Sequence, residues 1–381
     1  SSATASSLMI SAADIARVVF QSRSAQMRQA LPVIAALATA FFLTACQRQA
    51  SVERLSGPTM GSTFNVSYVR EQGTPEAAVV LAQIQGFLGR LDSAVSTYRN
   101  DSDVARFNAA PAGTCLDMPV EAIELTRHAQ QLAASSEGAF DITLLPVLDA
   151  WGFGPKSASI SATVQQLQKP QAEAEQSEPT QSELDALRAH IGQQHLRVED
   201  TRLCKNAPIS IEFNSIAAGY AVDRIADLLV SLGIHSYLVE VTGEVRGTGK
   251  KPDGSPWRVA IEAPLDHQRQ AQKIVALDGM SLSTSGDYRH YREVNGQRLS
   301  HVIDPRTLSP VRHLLAAVTV AAPSAMDADG LSTLLMALGP EHGLNYAQRH
   351  NLAAFFVSRT PNGFRSQATP AFEARFPSTG E

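Results

Sequence analysis

Two oxygen-bearing side chains, four residues apart, give the most direct indication of chemistry in this sequence. Asp329 and Thr333 lie within an apolar helical pattern, where residues at this spacing are neighbours on one face. A carboxylate and a hydroxyl placed in this way are hard oxygen ligands of the kind that Mg²⁺ prefers. The same pair also fits the solvated face of an ordinary helix, so the spacing alone leaves both interpretations open.

The run from Asn214 to Tyr220 indicates a place where a phosphate group could bind. It reads Asn-Ser-Ile-Ala-Ala-Gly-Tyr and should begin a helix, whose first N–H groups and positive dipole attract anions. Its small side chains would let a phosphate come close, although tight packing of the helix against a sheet explains them equally well. Glu212, just before this run, could hold a ribose or the edge of a base.

Large aromatic rings flanked by glycines are concentrated between Gly138 and Pro155. Phe140 and Trp151 both have glycines close by, and such glycines allow the backbone and a ring to approach a flat ligand. Asp141 adds a hydrogen-bond acceptor beside that surface. The segment therefore predicts a pocket for a planar molecule with polar edges.

His301 is the candidate general base, because imidazole is the side chain that exchanges a proton near neutral pH. It lies in the second strand of a hairpin predicted around Asn295-Gly296, and a lone histidine in a strand is more often structural. The run from Ser283 to Tyr288 is interpreted as a hydroxyl-rich turn, which could hold a phosphate or satisfy its own backbone.

The composition is that of a globular protein. The chain has 381 residues, of which 44% are hydrophobic and 18% charged, and its formal net charge is −5. This mildly acidic balance excludes the basic surface that nucleic-acid binding requires. Helical and hairpin patterns alternate without strict β-α-β order, which predicts an α+β fold with mixed or antiparallel sheets packed against helices.

The pattern of residues 1–46 predicts an upstream extension followed by the signal peptide of a lipoprotein. Met27-Arg28 precede an apolar run of about fifteen residues, which is too short for a stable membrane-spanning helix. The run ends in Leu-Thr-Ala-Cys, which looks like a lipoprotein box with Cys46 as the lipidated residue. An uncleaved anchor or a simple secretory signal is the alternative.

The remaining chain is predicted to be a tether at 47–56, one catalytic domain at 57–365 and a C-terminal tail at 366–381. A segment near 157–179, rich in Ser, Ala, Gln and Glu, should be an exposed and mobile insertion. A strand is expected from Pro208 to Phe213, and the Asp329 helix is expected to stop at Gly339-Pro340. Cys115 and Cys204 could form a disulfide bond or remain two unpaired hydrophobic residues.

The order of these motifs along the chain resembles the ApbE family, the FAD:protein FMN transferases. The resemblance covers about residues 55 to 360, and the combination of motifs is highly specific. The motifs that carry it are Thr59-Met60-Gly61-Ser62-Thr63, Ser96-Thr97-Tyr98, Phe107-Asn108, Gly138-Ala139-Phe140-Asp141, Trp151-Gly152-Phe153-Gly154, Ile216 to Asp223, Ser283 to Tyr288, His301 to Thr307 and Asp329 to Thr333.

The resemblance implies a single T-fold-related catalytic domain that binds FAD with its diphosphate on Mg²⁺. A Thr or Ser hydroxyl of a partner protein would then attack the phosphorus on the riboflavin side, so that FMN is attached through a phosphoester and AMP leaves. Asp329 and Thr333 are the implied side-chain metal ligands and Ser215 the implied main-chain ligand, with His301 as the base and Arg306 near the phosphates. The implied FAD contacts are Met60, Tyr98, Ala139, Phe140, Asp141, Glu212, Ala218 and Ile303.

Three positions depart from the family pattern. Ala218 stands where the family often has Lys or Glu, so a charged FAD contact is absent. Thr242 replaces the first of a common Gly pair before Glu244, and Leu308 replaces the Gly that usually follows Asp-Pro-Arg-Thr. If the turn needs a positive φ, a Leu there costs roughly 1–2 kcal/mol. None of the three is a metal ligand or the base, so we expect activity to survive.

Family members are typically periplasmic lipoproteins, and the resemblance suggests flavin-acceptor domains of membrane electron-transport complexes as partners. The inner membrane is the expected location, although Gln47 is not the aspartate that often signals retention there. Two other functions use the same site. One is a Mg²⁺-dependent FAD pyrophosphatase that gives FMN and AMP, and the other is a non-catalytic flavin-binding lipoprotein.

Overall fold

An eight-stranded antiparallel sheet organises the computed structural model, which describes residues 50–156, 178–265, 270–287, 291–294 and 297–377. The order in this sheet is β1-β2-β6-β7-β10-β15-β16-β17. The strands are β1 (Ser51–Thr59), β2 (Ser62–Arg70), β3 (Cys115–Asp117), β4 (Leu196–Glu199), β5 (Arg202–Lys205), β6 (Tyr237–Val241), β7 (Glu244–Thr248), β8 (Trp257–Glu262), β9 (Ala271–Leu277), β10 (Met280–Gly286), β11 (Tyr291–Val294), β12 (Gln297–Ser300), β13 (Ile303–Asp304), β14 (Ser309–Pro310), β15 (Leu315–Ala322), β16 (Ala353–Thr360) and β17 (Gly363–Ala368).

Helices pack against this sheet, which confirms the predicted α+β class. The helices are α1 (Ala77–Val95), α2 (Asp103–Ala109), α3 (Val120–Ser135), α4 (Leu145–Ala150), α5 (Gln181–Leu187), α6 (Ala217–Ser231), α7 (Ala325–Arg349) and α8 (Pro370–Arg375). None of the helices in these described ranges has both the length and the apolar character needed to cross a bilayer.

Both faces of the central strands are buried, because side chains of a strand alternate between the two sides of a sheet. Val318 and Phe356 belong to the main core, which includes side chains of α6 and α7. Phe355 and Val357 face the opposite side, where the β8–β9 hairpin and α8 form a second hydrophobic cluster. The sheet therefore holds the N-terminal ends of α6 and α7 from one side, and a separate hydrophobic layer supports it from the other.

The predicted domain boundaries are too narrow at both ends. Residues 51–56, assigned to the tether, are the first part of β1, which pairs along its whole length with β2. The predicted tail from 366 contains the end of β17 and all of α8, and Phe372 of this helix is fully buried. The polar edge strand and the short helix carry too little periodicity to be visible in the sequence. Cys46 and residues 157–177 of the predicted insertion lie outside the described residues.

Two predicted elements have a different structure. Residues 208–213 are not a strand, because the Asn108 side chain takes the place of a neighbouring strand: its Nδ2 donates to the Ile211 carbonyl at 2.9 Å and its Oδ1 accepts the Ile211 N–H at 2.8 Å. The hydroxyl-rich run from Ser283 is mostly strand β10 rather than a turn. The α7 helix does break at Gly339 (φ 80°), but it resumes at Pro340 and continues to Arg349.

Cys115 and Cys204 form a disulfide bond between β3 and β5. These two positions face each other in the register of the small β3-β5-β4 sheet, so the sheet brings the two sulfur atoms together. Of the two alternatives left open by the sequence, the structure therefore has the paired one.

Candidate active site

The N-terminal ends of α6 and α7 touch at Gly219. A Cβ atom at this position would lie 2.3 Å from the Ala325 carbonyl oxygen and 2.8 Å from the Asp329 Cβ, closer than real Cβ contacts allow. Glycine is therefore required there because α7 packs directly on the α6 backbone. The close packing at this turn is thus against α7, where the sequence suggested a sheet, and the Gly219 N–H is directed at α7.

Each of these helices has its first turn bound by a carboxylate of the other helix. The Gly219 N–H donates to Asp329 Oδ2 at 2.9 Å. In return, the Ala325 N–H donates to Asp223 Oδ1 at 2.9 Å and the Met326 N–H to Asp223 Oδ2 at 3.0 Å. Asp223 lies one turn beyond Gly219 and Asp329 one turn beyond Ala325, and we call Asp223 and Asp329 the reciprocal carboxylates.

The reciprocal carboxylates have opposite electrostatic surroundings. Asp223 forms an ion pair with Arg246 of β7 at 2.6 Å. Among the described residues no Lys or Arg pairs with Asp329, which is only 5% exposed. Its pKa is raised well above the ordinary value, first by burial and then by the nearby Glu244 carboxylate, which is also on β7. Asp329 is therefore a buried acid beside a second acid, an arrangement that favours a bound cation.

Four hydroxyl groups lie next to these acids and form what we call the hydroxyl cluster. The Ser332 Oγ is 3.2 Å from Ser283 Oγ and 3.1 Å from Ser285 Oγ, and Ser285 Oγ is 3.2 Å from Thr333 Oγ1. Ser283 also donates to Glu244 Oε1 at 3.4 Å, which links the cluster to the acids. Because Ser283 and Ser285 are two residues apart on β10, both point at α7.

The Ser215 carbonyl, the implied main-chain metal ligand, lies just before α6. Within the described residues no backbone N–H donates to it, since the Gly219 N–H donates to Asp329. A carbonyl oxygen without a backbone donor suits a hard cation. Asp329 and Thr333 belong to α7 and Ser215 lies two residues before α6, and their oxygen atoms fit a Mg²⁺ ion by type.

A second polar group contains three of the implied FAD contacts. Asp141 accepts the N–H and the hydroxyl of Thr143, both at 2.7 Å, and burial raises its pKa. Glu212 is 3% exposed, accepts the Asn214 N–H at 2.7 Å, and has its pKa raised to about 7 by burial and by Asp141. Tyr98 is 60% exposed as a whole. Partial burial and, after it, the charge of the nearby Glu212 raise its pKa. The structure therefore brings these three residues to one place.

The aromatic segment does not present its rings as predicted. Phe140 is 3% exposed and belongs to the main core, while Trp151 is 4% exposed and belongs to a separate hydrophobic cluster with Leu308. The Trp151 Nε1 donates to the Leu308 carbonyl at 2.8 Å. Glycine next to an aromatic residue is a weak signal for a ligand, because core rings also pack against glycine.

The other predicted residues lie on several different elements. Met60 lies half-buried in the tight β1–β2 turn with a φ of 49°, and Ala139, Ala218 and Ile303 are buried. His301 is half-buried between β12 and β13, and β13 contacts α7. Arg306 forms a two-pronged ion pair with Asp304, with two N–O distances of 2.9 Å, so its guanidinium is already engaged.

Sequence reasoning missed Asp223, Glu244 and Ser332 as members of this site. Asp223 and Asp329 belong to helices about a hundred residues apart, and a single sequence does not show which carboxylate reaches which helix end. The alternation of Ser283 and Ser285 was the available signal for a strand that places two hydroxyls on one face.

Comparison with known proteins identifies the family of this chain. A model described as the ApbE family matches residues 60–356. A FAD:protein FMN transferase of Vibrio cholerae is 37% identical over 341 residues, covering 89% of this chain and 97% of that protein. The crystal structure of the Pseudomonas stutzeri flavinyl transferase ApbE, apo form, superposes with a TM-score of 0.77 at 51% identity, covering 87% of this chain and 99% of that one. The chain therefore belongs to the ApbE family.

Proposed function

We propose that this chain transfers the FMN part of FAD to a Thr or Ser hydroxyl of a partner protein, releases AMP and requires Mg²⁺. The observation that carries this proposal is the buried Asp329 carboxylate, beside which the described part of the chain places Glu244 and no Lys or Arg. A buried charge of this kind is costly until a cation compensates it. A divalent ion that also binds a diphosphate supplies that compensation.

Asp329 and Thr333 would hold the metal from one face of α7, and the Ser215 carbonyl would hold it from the start of α6. When bound, the ion would neutralise the charge of the diphosphate during transfer. The hydroxyl cluster fixes Thr333 through Ser285, and hydrogen bonds of this kind orient metal ligands. The Gly219 N–H does the same for Asp329.

His301 is the proposed base for the acceptor hydroxyl. The hydroxyl oxygen forms a bond to the phosphorus on the riboflavin side, and the bond between that phosphorus and the bridging oxygen breaks. AMP leaves with the bridging oxygen, and the hydroxyl proton passes to the His301 imidazole. The chain around His301 is held in place, because the turn after β13 receives the hydrogen bond from Trp151 at Leu308.

Tyr98, Asp141 and Glu212 form the polar part of the proposed FAD site. Since the pKa of Glu212 is about 7, its carboxyl group can donate a hydrogen bond when protonated and accept one when ionised. Met60, Ala139, Phe140, Ala218 and Ile303 complete the proposed contacts.

The metal part of the proposal is tested with Asp329→Asn. Purified protein is incubated with FAD, Mg²⁺ and a flavin-acceptor domain, and the mass of the acceptor is measured. We expect the wild type to add one FMN and Asp329→Asn to be slower by about 100-fold or more. The matched control is Asp327→Asn, on the same helix but with a side chain that is 49% exposed, which should remain within a few-fold of wild type. Equal rates for Asp329→Asn and wild type would refute the metal site.

The same assay separates transfer from the two other functions. If free FMN appears equally fast with and without the acceptor domain, the chain is a pyrophosphatase. If FAD binds but is never cleaved, the chain is a binding protein. Either result would overturn the proposed transferase activity.

The role of His301 is tested with His301→Ala, and His235→Ala serves as the control because His235 is an exposed histidine in the connection between α6 and β6. We expect His301→Ala to keep the dissociation constant for FAD and to lower the transfer rate by about 100-fold, the usual size of a general-base effect. Loss of FAD binding instead would make His301 a structural residue.

The proposed location is the periplasm, on the inner membrane through a lipid on Cys46, with flavin-acceptor domains of membrane electron-transport complexes as partners. The Cys115–Cys204 disulfide supports this proposal, since such bonds persist in oxidising compartments. Cys46→Ser should move the protein from the membrane fraction to the soluble periplasmic extract. A wild-type protein that fractionates with the cytosol would contradict the proposal.

A further inference from the structure

Asp223 is completely hydrogen-bonded although it is buried. It accepts from Arg246 Nη1 at 2.6 Å, Ser324 Oγ at 2.8 Å, the Ala325 N–H at 2.9 Å and the Met326 N–H at 3.0 Å. With these partners it is satisfied and has no need of a metal or a substrate. The role of Asp223 therefore lies in the groups whose positions it fixes.

The groups that Asp223 holds are the first backbone donors of α7. The start of a helix leaves its N–H groups without partners inside the helix, and a carboxylate that binds them fixes the position of the helix end. Ser324 caps the same turn by accepting the Asp327 N–H at 3.1 Å and also donates to Asp223. The first turn of α7 is thus tied to α6 by one side chain.

This first turn determines where Asp329 lies. Asp329 is one helical turn beyond Ala325, so any rotation or shift of the start of α7 moves its carboxylate. The contact at Gly219 prevents α7 from moving closer, because even a Cβ atom has no space there. Contact at Gly219 limits the approach of the helices, and Asp223 prevents their separation.

Strand β7 connects the same two carboxylates from the side of the sheet. Its Arg246 pairs with Asp223, and its Glu244, two residues earlier, contributes to the raised pKa of Asp329. Residues two apart on a strand point to the same side of the sheet. Asp223 therefore sets the position of α7 relative to both α6 and β7, the elements that surround Asp329.

We infer that Asp223 is a positioning residue that sets the metal affinity of the site by fixing the first turn of α7. The inference rests on the proposed function, because it takes Asp329 as a metal ligand. It predicts that loss of Asp223 weakens metal binding more than it weakens turnover at saturating metal, since the ligands themselves remain. A residue needed only for stability would not change the ratio of these two quantities.

The test measures Mn²⁺ binding by the electron paramagnetic resonance signal of the free ion, in purified apo protein. We expect Asp223→Asn to raise the Mn²⁺ dissociation constant about 10-fold or more, the usual effect of a group that orients a metal ligand. The concentration of Mg²⁺ that gives half-maximal transfer should rise by a similar factor, while the rate at saturating Mg²⁺ changes less. An unchanged Mn²⁺ dissociation constant in Asp223→Asn would overturn the inference.

Two further variants keep the test decisive. Thr369→Ala removes another buried helix cap, at the start of α8 in the second hydrophobic cluster, and should lower the melting temperature without changing Mn²⁺ binding. Ser324→Ala removes one of the groups that bind Asp223. If Asp223→Asn does not fold, this milder change should still weaken Mn²⁺ binding measurably, and wild-type binding would count against the inference.

Failure of the inference can be distinguished from failure of the proposed function. Asp329→Asn is measured in parallel with the same Mn²⁺ assay. If it binds Mn²⁺ like the wild type, the proposed metal site is wrong. If it loses Mn²⁺ while Asp223→Asn does not, the metal site stands and the positioning role of Asp223 is wrong.

Discussion

Asp223 and Asp329 show that neighbours, rather than residue type, decide what a buried acid can do. Both are nearly inaccessible to solvent, at 6% and 5% exposure, and both accept hydrogen bonds from the start of the opposite helix. Arg246 neutralises the first, whereas Glu244 adds negative charge beside the second. The first is therefore structural, and the second is suited to bind a cation.

At the scale of a single residue, the raised pKa of Glu212 predicts that the stability of the protein depends on pH. Its pKa is about 7 in the folded protein against an ordinary value of 4.5, so the Glu212 carboxyl group keeps its proton up to a higher pH in the folded state than in the unfolded state. Stability from this group is complete below pH 4.5 and is lost as the pH rises towards 7, by as much as about 3 kcal/mol. In urea unfolding of the apo protein, Glu212→Gln should lack this decline.

The measurement compares the free energy of unfolding of wild type and Glu212→Gln at pH 5 and pH 8 with a metal chelator present. The variant should gain stability relative to wild type on going to pH 8, because Gln cannot ionise. Two parallel pH profiles would show that Glu212 has an ordinary pKa in the folded protein.

At the scale of elements, turns at two of the family departures contain backbone strain. Thr242 and Leu308 both have positive φ values, 55° and 59°, which favour glycine. At each of these two residues a local interaction offsets the backbone strain. The Thr242 hydroxyl donates to Glu244 at 2.9 Å, and the Leu308 side chain is completely buried against Trp151 and Ile303.

Leu308 allows strain and burial to be separated by two substitutions. Leu308→Ala removes the buried side chain but keeps the strained Cβ, and should cost about 2–5 kcal/mol of unfolding free energy. Leu308→Gly also loses the side chain but relieves the strain, so it should be at least as stable as the Ala variant despite the flexibility of glycine. Urea unfolding measures both. A Gly variant about 1 kcal/mol less stable than the Ala variant would show that the turn is unstrained.

Elements were predictable from the sequence where their own periodicity was strong. The sequence pattern predicts strands at 237–241 and 257–262 and a helix from about 119 to 134. The strands are observed at Tyr237–Val241 and Trp257–Glu262, and the helix is observed at Val120–Ser135. The failures have tertiary causes. Asn108 replaces a strand partner for residues around Ile211, and the Ser-rich β10 becomes a strand only because β7 and β15 pair with it.

The site was predictable in part, for a related reason. Asp329 and Thr333 are four residues apart, so helical spacing predicted that they share one face of a helix, and the order of the motifs indicated the family. Asp223 and Glu244 act through residues that are distant along the chain, so no local pattern contains the contact. Identification of such residues requires the packing of α6, α7 and β7.

At the scale of the whole molecule, the Cys115–Cys204 disulfide should be a large contribution to stability. It joins residues 89 apart, and the loss of such a long closed loop typically costs 2–5 kcal/mol, roughly, in small secreted domains. The double variant Cys115→Ser/Cys204→Ser should unfold at lower urea concentration than the wild type. Addition of a thiol reductant should lower the urea concentration at which the wild type unfolds towards that of the variant, and it should leave the variant's value unchanged. A reductant effect on both proteins would point to another cause.

The same bond has a consequence for how the protein responds to a protease. Residues 157–177 lie in the stretch of chain between the two cysteines, so a single cleavage in that stretch would not separate the fragments. Such nicked protein should migrate as one band on a denaturing gel without reductant and as two bands with it. A cleavage between the two cysteines would thus sever the polypeptide while the two fragments remain covalently joined.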